Sequence, residues 1–151
     1  MTEEKIREIY FFAQSAENKI DKEEVWIKFL KNTLLNTYNK DEFLLNFIFL
    51  SREEIAEMNQ KYLRHNYATD VITFDFSDDF GVFGGDVFIC PDVIEQNAQS
   101  YGVSYKTEML RVLCHGMLHL LGFDDKTEEP AKEIRIQEDK CIEAFLKQEN
   151  L

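Results

Sequence analysis

The stretch that most limits what this chain can become is Leu110-Arg111-Val112-Leu113-Cys114-His115-Gly116-Met117-Leu118-His119-Leu120-Leu121. Its apolar side chains wrap most of a helix circumference, which marks a buried helix rather than a surface one. His115 and His119 stand four residues apart within it. That is slightly more than one turn, so both imidazoles leave the same side, about 6 Å apart along the axis. An imidazole among leucines without a polar partner is costly. A single core histidine is ordinarily satisfied by a hydrogen bond. Two on one face point instead to a shared metal ion, with Zn–N distances of about 2.0–2.1 Å. Gly122 suits the position just past a helix end. The chain can turn there and return Asp124 or Asp125 to the histidine face as a third ligand. Cys114 adjoins His115 but points about 100° away on a helix, which makes it a poor partner for the same ion.

The remaining chain supplies a sheet and a core for this helix. Its 151 residues, 44% of them hydrophobic, suit a single domain over 1–151 with a genuine interior. Ile9–Phe12 is short, aromatic and β-prone, a first strand. Asp21 and Glu24 make a capping-box pattern before a helix reaching Asn36, with Trp26 in the core. The nearly unbroken apolar run Phe43–Leu50 reads as a central strand covered on both faces. Ser51 with Glu54 opens another helix through Tyr62. Leu63–Ala68 is a loop, and Val71–Phe76 alternates like a strand. Ser77–Phe83 is polar and turn-like. Gly84-Gly85 introduce the strand Asp86–Cys90, an antiparallel partner of the one before it. Pro91 starts a helix that Gly102 ends, Ser104 caps the helix Tyr105–Leu121, and Pro130 introduces the last helix, Ala131 to Gln148. The charged face of that last helix reads as solvated. The expected fold class is α+β: a mixed sheet of about four strands packed with about five helices, one of them a zincin-like metal helix.

Charge and cysteine content bound the function. The net charge of −12, taken alone, argues against a nucleic-acid partner, since phosphate binding needs local positive charge. A bound cation and a few basic residues around one cleft could still hold RNA on an otherwise acidic molecule. Cys90, Cys114 and Cys141 form no C-x-x-C pair and read as reduced thiols. No apolar run is long enough for a bilayer and no signal-peptide pattern opens the chain, so the expected location is cytoplasmic, with no membrane partner.

The spacing of the histidines invites comparison with H-E-x-x-H metallopeptidases, whose glutamate is the general base. Here that position is Gly116, which takes no proton, so peptidase chemistry of that kind lacks its base. Gly116 is also expected to leave open space beside the ion. Three protein ligands leave a fourth position free, the layout of a catalytic rather than a closed structural site. A metal that only stabilises the fold is the alternative.

His115-Gly116-Met117-Leu118-His119-Leu120-Leu121-Gly122-Phe123-Asp124-Asp125 resembles the H-G-x-L-H-L-x-G-Y-D-H signature of the YbeY family of bacterial zinc-dependent endoribonucleases. Met58-Asn59, Tyr62 and Thr69-Asp70-Val71-Ile72-Thr73-Phe74 resemble its L-N-x-x-Y-R and P-T-D-V-L-S-F segments, and Gly85-Asp86-Val87 its G-D-I element. The resemblance implies one Zn²⁺ held by His115, His119 and Asp125, with Asp124 the competing carboxylate. It implies a single-strand-specific endoribonuclease of 16S rRNA 3′-end maturation and ribosome quality control, with rRNA and the small ribosomal subunit as partners. Two departures stand out. Asp125 occupies the position of the family's third histidine, and a carboxylate is a legitimate zinc ligand. The family's arginine after the tyrosine is here Leu63, with Arg64 one residue later. Arg64 is expected to take over that arginine's phosphate contact and to act in catalysis with His115 and His119. His65, Thr69 and Asp70 are further RNA-contact candidates, and Lys61, Lys106 and Arg111 weaker ones for offsetting phosphate charge. Asp86 is a candidate support for the metal ligands. Two other functions remain open: a non-catalytic ribosome-assembly factor with a structural metal, and a metallohydrolase for a small substrate.

Overall fold

A mixed sheet of order β1-β2-β4-β3 frames the computed structural model, which describes residues 4–14, 20–64 and 67–149. The strands are β1 (Arg7–Ala13), β2 (Phe43–Phe49), β3 (Val71–Asp75) and β4 (Gly84–Ile89). β2 runs parallel to both β1 and β4, whereas β3 pairs antiparallel with β4, as the long hairpin requires. The helices are α1 (Glu23–Asn32), α2 (Arg52–Leu63), α3 (Ser77–Phe80), α4 (Pro91–Tyr101), α5 (Tyr105–Leu120) and α6 (Glu128–Glu149). The α+β class and the mixed sheet are those expected.

The two faces of the sheet are unequal. Phe43, Leu45, Phe47 and Phe49 of β2, with Val87 and Ile89 of β4, share one buried cluster with α1, α5 and α6. Within it Trp26 of α1 stacks on Phe145 of α6 at 5.0 Å. The other face carries Ile48, Ile72, Phe74 and Phe88, which pack with Ile55 and Met58 of α2 and with Val93 of α4. β2 therefore alternates between buried and half-buried positions rather than being equally covered on both faces. Its half-buried face holds Asn46, whose Nδ2 donates to Asp86 Oδ1 of β4 at 3.0 Å. A continuous apolar run conceals this asymmetry, because Leu44 and Ile48 are as apolar as their buried neighbours.

Local signals match the structure where a side chain closes its own hydrogen bond. Ser51 and Glu54 form the reciprocal capping box at the start of α2. Ser104 Oγ accepts from the Thr107 backbone N–H and caps α5. Asp21 does not cap α1. The capping position is Lys22, in a left-handed conformation with no side-chain cap bond, and Asp21 instead offers its carbonyl to the Trp26 indole. Past Asn32 the helix widens into a π-helical turn, Thr33–Thr37. Thr33 Oγ1 donates to the Phe29 carbonyl at 2.9 Å, a competing acceptor contact of the kind that distorts a helix. α3, Ser77–Phe80, is a short helix beyond the five expected, where a turn is expected from sequence. Asp75 Oδ1 accepts from the Ser77 N–H just ahead of it. α6 begins at Glu128, so Pro130 lies inside its first turn rather than before it.

Candidate metal centre

α5 lies against the sheet so closely that Gly116 is a packing requirement. A Cβ there would come within 2.6 Å of Val87 Cγ1 on β4. The space expected beside the ion is thus filled by the sheet, and Gly116 faces β4 rather than the cleft. His115 and His119 leave α5 about 100° and 60° round one side from Gly116, so they stand at the edge of this contact and stay partly open to solvent. The two imidazole centroids are 4.6 Å apart.

The end of α5 then reverses the chain. Gly122, at φ 105°, donates to the His119 carbonyl, and the Phe123 N–H donates to the Leu118 carbonyl, both at 3.0 Å. These are the two bonds of a Schellman cap. Phe123 is fixed against the Tyr38 ring at 6.2 Å. Asp124 Oδ1 accepts from the Lys126 N–H, so this carboxylate secures the loop. Asp125 comes back to the histidines: its Oδ2 is 3.7 Å from His115 Nε2 and its Oδ1 is 3.6 Å from His119 Nε2. Among the described residues this is the group whose donor atoms, all within 4.8 Å of one another, could hold an ion. Ligand atoms bound tetrahedrally at zinc distances lie about 3.3 Å apart, so the observed separations fit a first-row cation with little movement. The three side chains stay partly open to solvent, at 20%, 27% and 49% exposure for His115, His119 and Asp125.

Behind His115 stands a residue that sequence reasoning missed. Glu138 of α6 is buried, and His115 Nδ1 lies 2.6 Å from its Oε2. A proton on Nδ1, donated to that carboxylate, leaves Nε2 free to face the ion. Arg111 Nη1 donates to the other oxygen of Glu138 at 3.1 Å, and its Nη2 to Asp139 at 3.1 Å. The last helix is therefore not solvated along its whole charged side. The available signal was spacing: Glu138 lies four residues from Ile134 and Ile142, on the stripe that faces the core. Burial opposes protonation of His115, but the hydrogen bond and charge of Glu138, with Asp125 and Asp70, outweigh it and raise its pKa. Burial, and then the charge of His115, lower that of His119.

The site opens on a cleft of about 670 Å³. Its walls include Asp70, Tyr101, Glu108, Arg111, His115, Asp125, Arg135 and Glu138. Asp70 shares the cleft with the candidate metal group, and Thr69 is half-buried beside it with its hydroxyl 3.4 Å from Asp70 Oδ1. Arg64 is exposed at the left-handed C-terminal cap of α2 and is not among the cleft residues. His65 lies outside the described residues. Lys61 sits over the Tyr62 ring, and Lys106 pairs with Glu149. Arg111 is in the cleft but is committed to carboxylates. Asp86 projects from the half-buried face of β4, opposite Val87 and α5, and its partner is Asn46, so it does not support the metal ligands. Cys114 is buried against Cys141 and is not part of the donor group.

The Endoribonuclease YbeY family profile matches residues 10–146. A protein of Cytophaga hutchinsonii named Endoribonuclease YbeY is 38% identical over 134 residues, covering 89% of this chain and 93% of that one. One of the same name from Azobacteroides pseudotrichonymphae is 42% identical over 118 residues, covering 78% and 81%. The solution structure of a Thermotoga maritima protein shares the fold, with a TM-score of 0.65 at 25% identity over 95% of this chain and 92% of that one. These matches run through both the sheet and the histidine helix, and on them the chain belongs to the endoribonuclease YbeY family.

Proposed function

We propose that the protein is a metal-dependent endoribonuclease that cuts single-stranded RNA during maturation of the 16S rRNA 3′ end, with the small ribosomal subunit as its partner and the cytoplasm as its location. The observation that carries the reading is the meeting of His115, His119 and Asp125 at the mouth of an open cleft. Two imidazoles and one carboxylate favour zinc. Such an ion, when bound, supplies Lewis-acid charge against a phosphate oxygen.

The protein's own groups prepare that chemistry. Glu138 fixes the ring orientation of His115 and presents Nε2 outward. The lowered pKa of His119 keeps its lone pair available near neutral pH. Asp125 contributes one negative charge where the family pattern has a neutral imidazole, so the site carries less net positive charge toward a phosphate. Asp70 forms part of the cleft wall beside them. Arg64, exposed at the end of α2, is the phosphate contact that the family resemblance points to. Its side chain must reach the RNA from outside the cleft lining.

The test pairs metal content by mass spectrometry with cleavage of single-stranded RNA, on the wild type and on His119→Ala and Asp125→Ala. The wild type is expected to carry one ion per chain and to cut; each variant should lose both properties. Undiminished cleavage by metal-free His119→Ala would overturn the reading.

A further inference from the structure

We propose that Tyr101 and Arg135 form a nucleotide subsite in the metal cleft, with a base of single-stranded RNA stacked on the tyrosine ring and an adjoining phosphate on the guanidinium. The proposal rests on reading the cleft as RNA-cleaving. Both residues line the cleft that holds His115 and Asp125. They reach it from different elements: Tyr101 is the last residue of α4, and Arg135 lies on α6, three residues before Glu138.

Their surroundings separate them from the other cleft residues. Tyr101 is 66% exposed, although a tyrosine with a free choice of packing buries its ring. The backbone that carries it is fixed at the helix end: the Gly102 N–H donates to the Gln99 carbonyl and the Val103 N–H to the Ala98 carbonyl. Val103, 41% exposed, continues the apolar lip into the cleft. An aromatic ring on a fixed backbone has only two side-chain torsions to lose when a base stacks on it, and stacking accepts any base.

Arg135 is the second half. Arg111 and Arg135 are the two arginines lining the cleft. Arg111 is held by Glu138 and Asp139, with Glu108 at 4.0 Å. Among the described residues Arg135 has no carboxylate within ion-pair distance, and it is exposed. In a cleft that also contains Asp70, Glu108, Asp125 and Asp139, an uncommitted guanidinium is the feature that favours a phosphate over a neutral ligand. The pairing of ring and guanidinium selects an unpaired nucleotide, because a base inside a duplex offers no free face to the tyrosine.

The experiment uses the metal-loaded full chain and a short fluorescein-labelled single-stranded RNA. KM, kcat, metal content and the salt dependence of binding are read for the wild type, Tyr101→Ala, Tyr101→Phe, Arg135→Ala and Arg135→Lys. Tyr101→Ala is expected to raise KM about tenfold, with the larger share of the loss in KM rather than kcat, while Tyr101→Phe stays close to wild type. Arg135→Ala is expected to weaken binding several-fold and to flatten the slope of log affinity against log salt by about 0.7, with Arg135→Lys retaining most of the slope. Melting temperature and metal content should match wild type, since both side chains are exposed. Unchanged KM and salt slope in both alanine variants of a cleaving enzyme would overturn the subsite alone. A wild type that neither binds nor cuts RNA would remove the RNA reading, and the subsite with it.

Discussion

Glu138 accepts from His115 on one carboxylate oxygen and from Arg111 on the other. A single substitution there acts on metal affinity without removing a ligand. Glu138→Gln keeps the volume, but one of its two terminal atoms becomes a donor, so it cannot accept from both His115 and Arg111. Metal affinity is expected to fall about 10–100-fold, the usual consequence of losing the partner behind a ligating histidine. Competition against a chromophoric chelator measures this directly. Affinity equal to wild type would mean that the Glu138 contact does not orient His115. The candidate donor group was legible in the sequence, because its chemistry and spacing are local: His115 and His119 share one helix, and Asp125 follows a glycine cap. Glu138 was not legible in the same way. A glutamate on a charged helix looks the same whether its carboxylate meets water or a histidine 23 residues away, and only the packing of α6 on α5 decides which.

Gly116 sets how deeply α5 sits on the sheet, and its role was misread from sequence for a related reason. A glycine beside a metal ligand reads as room for substrate when the partner element is unknown; the structure puts Val87 there instead. Gly116→Ala gains helix propensity of about 1 kcal/mol. It also inserts a methyl group 2.6 Å from Val87 Cγ1, and overpacking of that kind costs about 1–3 kcal/mol. The sum is expected to be destabilising, and the displaced helix should also loosen the histidine pair. The double variant Gly116→Ala, Val87→Ala relieves the clash and should recover part of both stability and metal affinity. Denaturant melts and chelator titrations of the two single variants and the double check this. If the two costs simply add, the contact is not what sets the helix height. Elsewhere at this scale the sequence performed best where periodicity and capping agreed, as in α2 and α5. It failed where a backbone took an uncommon state, as at Lys22 in its left-handed conformation and at the π-helical turn after Asn32.

The charge of the whole molecule poses a problem that the cleft must solve. At −12 the protein repels a polyanion. The cleft itself lines Asp70, Glu108, Asp125, Glu138 and Asp139 against Arg111 and Arg135. A divalent cation on His115, His119 and Asp125 would make the charge of that donor group positive at the one place a phosphate must approach, so ion removal should weaken RNA binding and not only cleavage. Salt separates this local attraction from the global repulsion. An exposed charge acts over only about 8 Å at physiological ionic strength before salt screens it. Added salt therefore relieves the distant repulsion while weakening the few close contacts, and the two trends oppose each other. With contacts as few as Arg64 and Arg135, at about 0.7 per neutralised phosphate on a single strand, the slope of log affinity against log salt is expected to be no steeper than about −2. Fluorescence anisotropy of a single-stranded RNA, titrated at several salt concentrations with the metal present and then chelated, measures both effects. The chelated protein should bind at least several-fold more weakly at every salt concentration. A slope near −4 or beyond, or affinity indifferent to the chelator, would mean that the RNA is held by a basic surface elsewhere and that the metal cleft does not govern its capture.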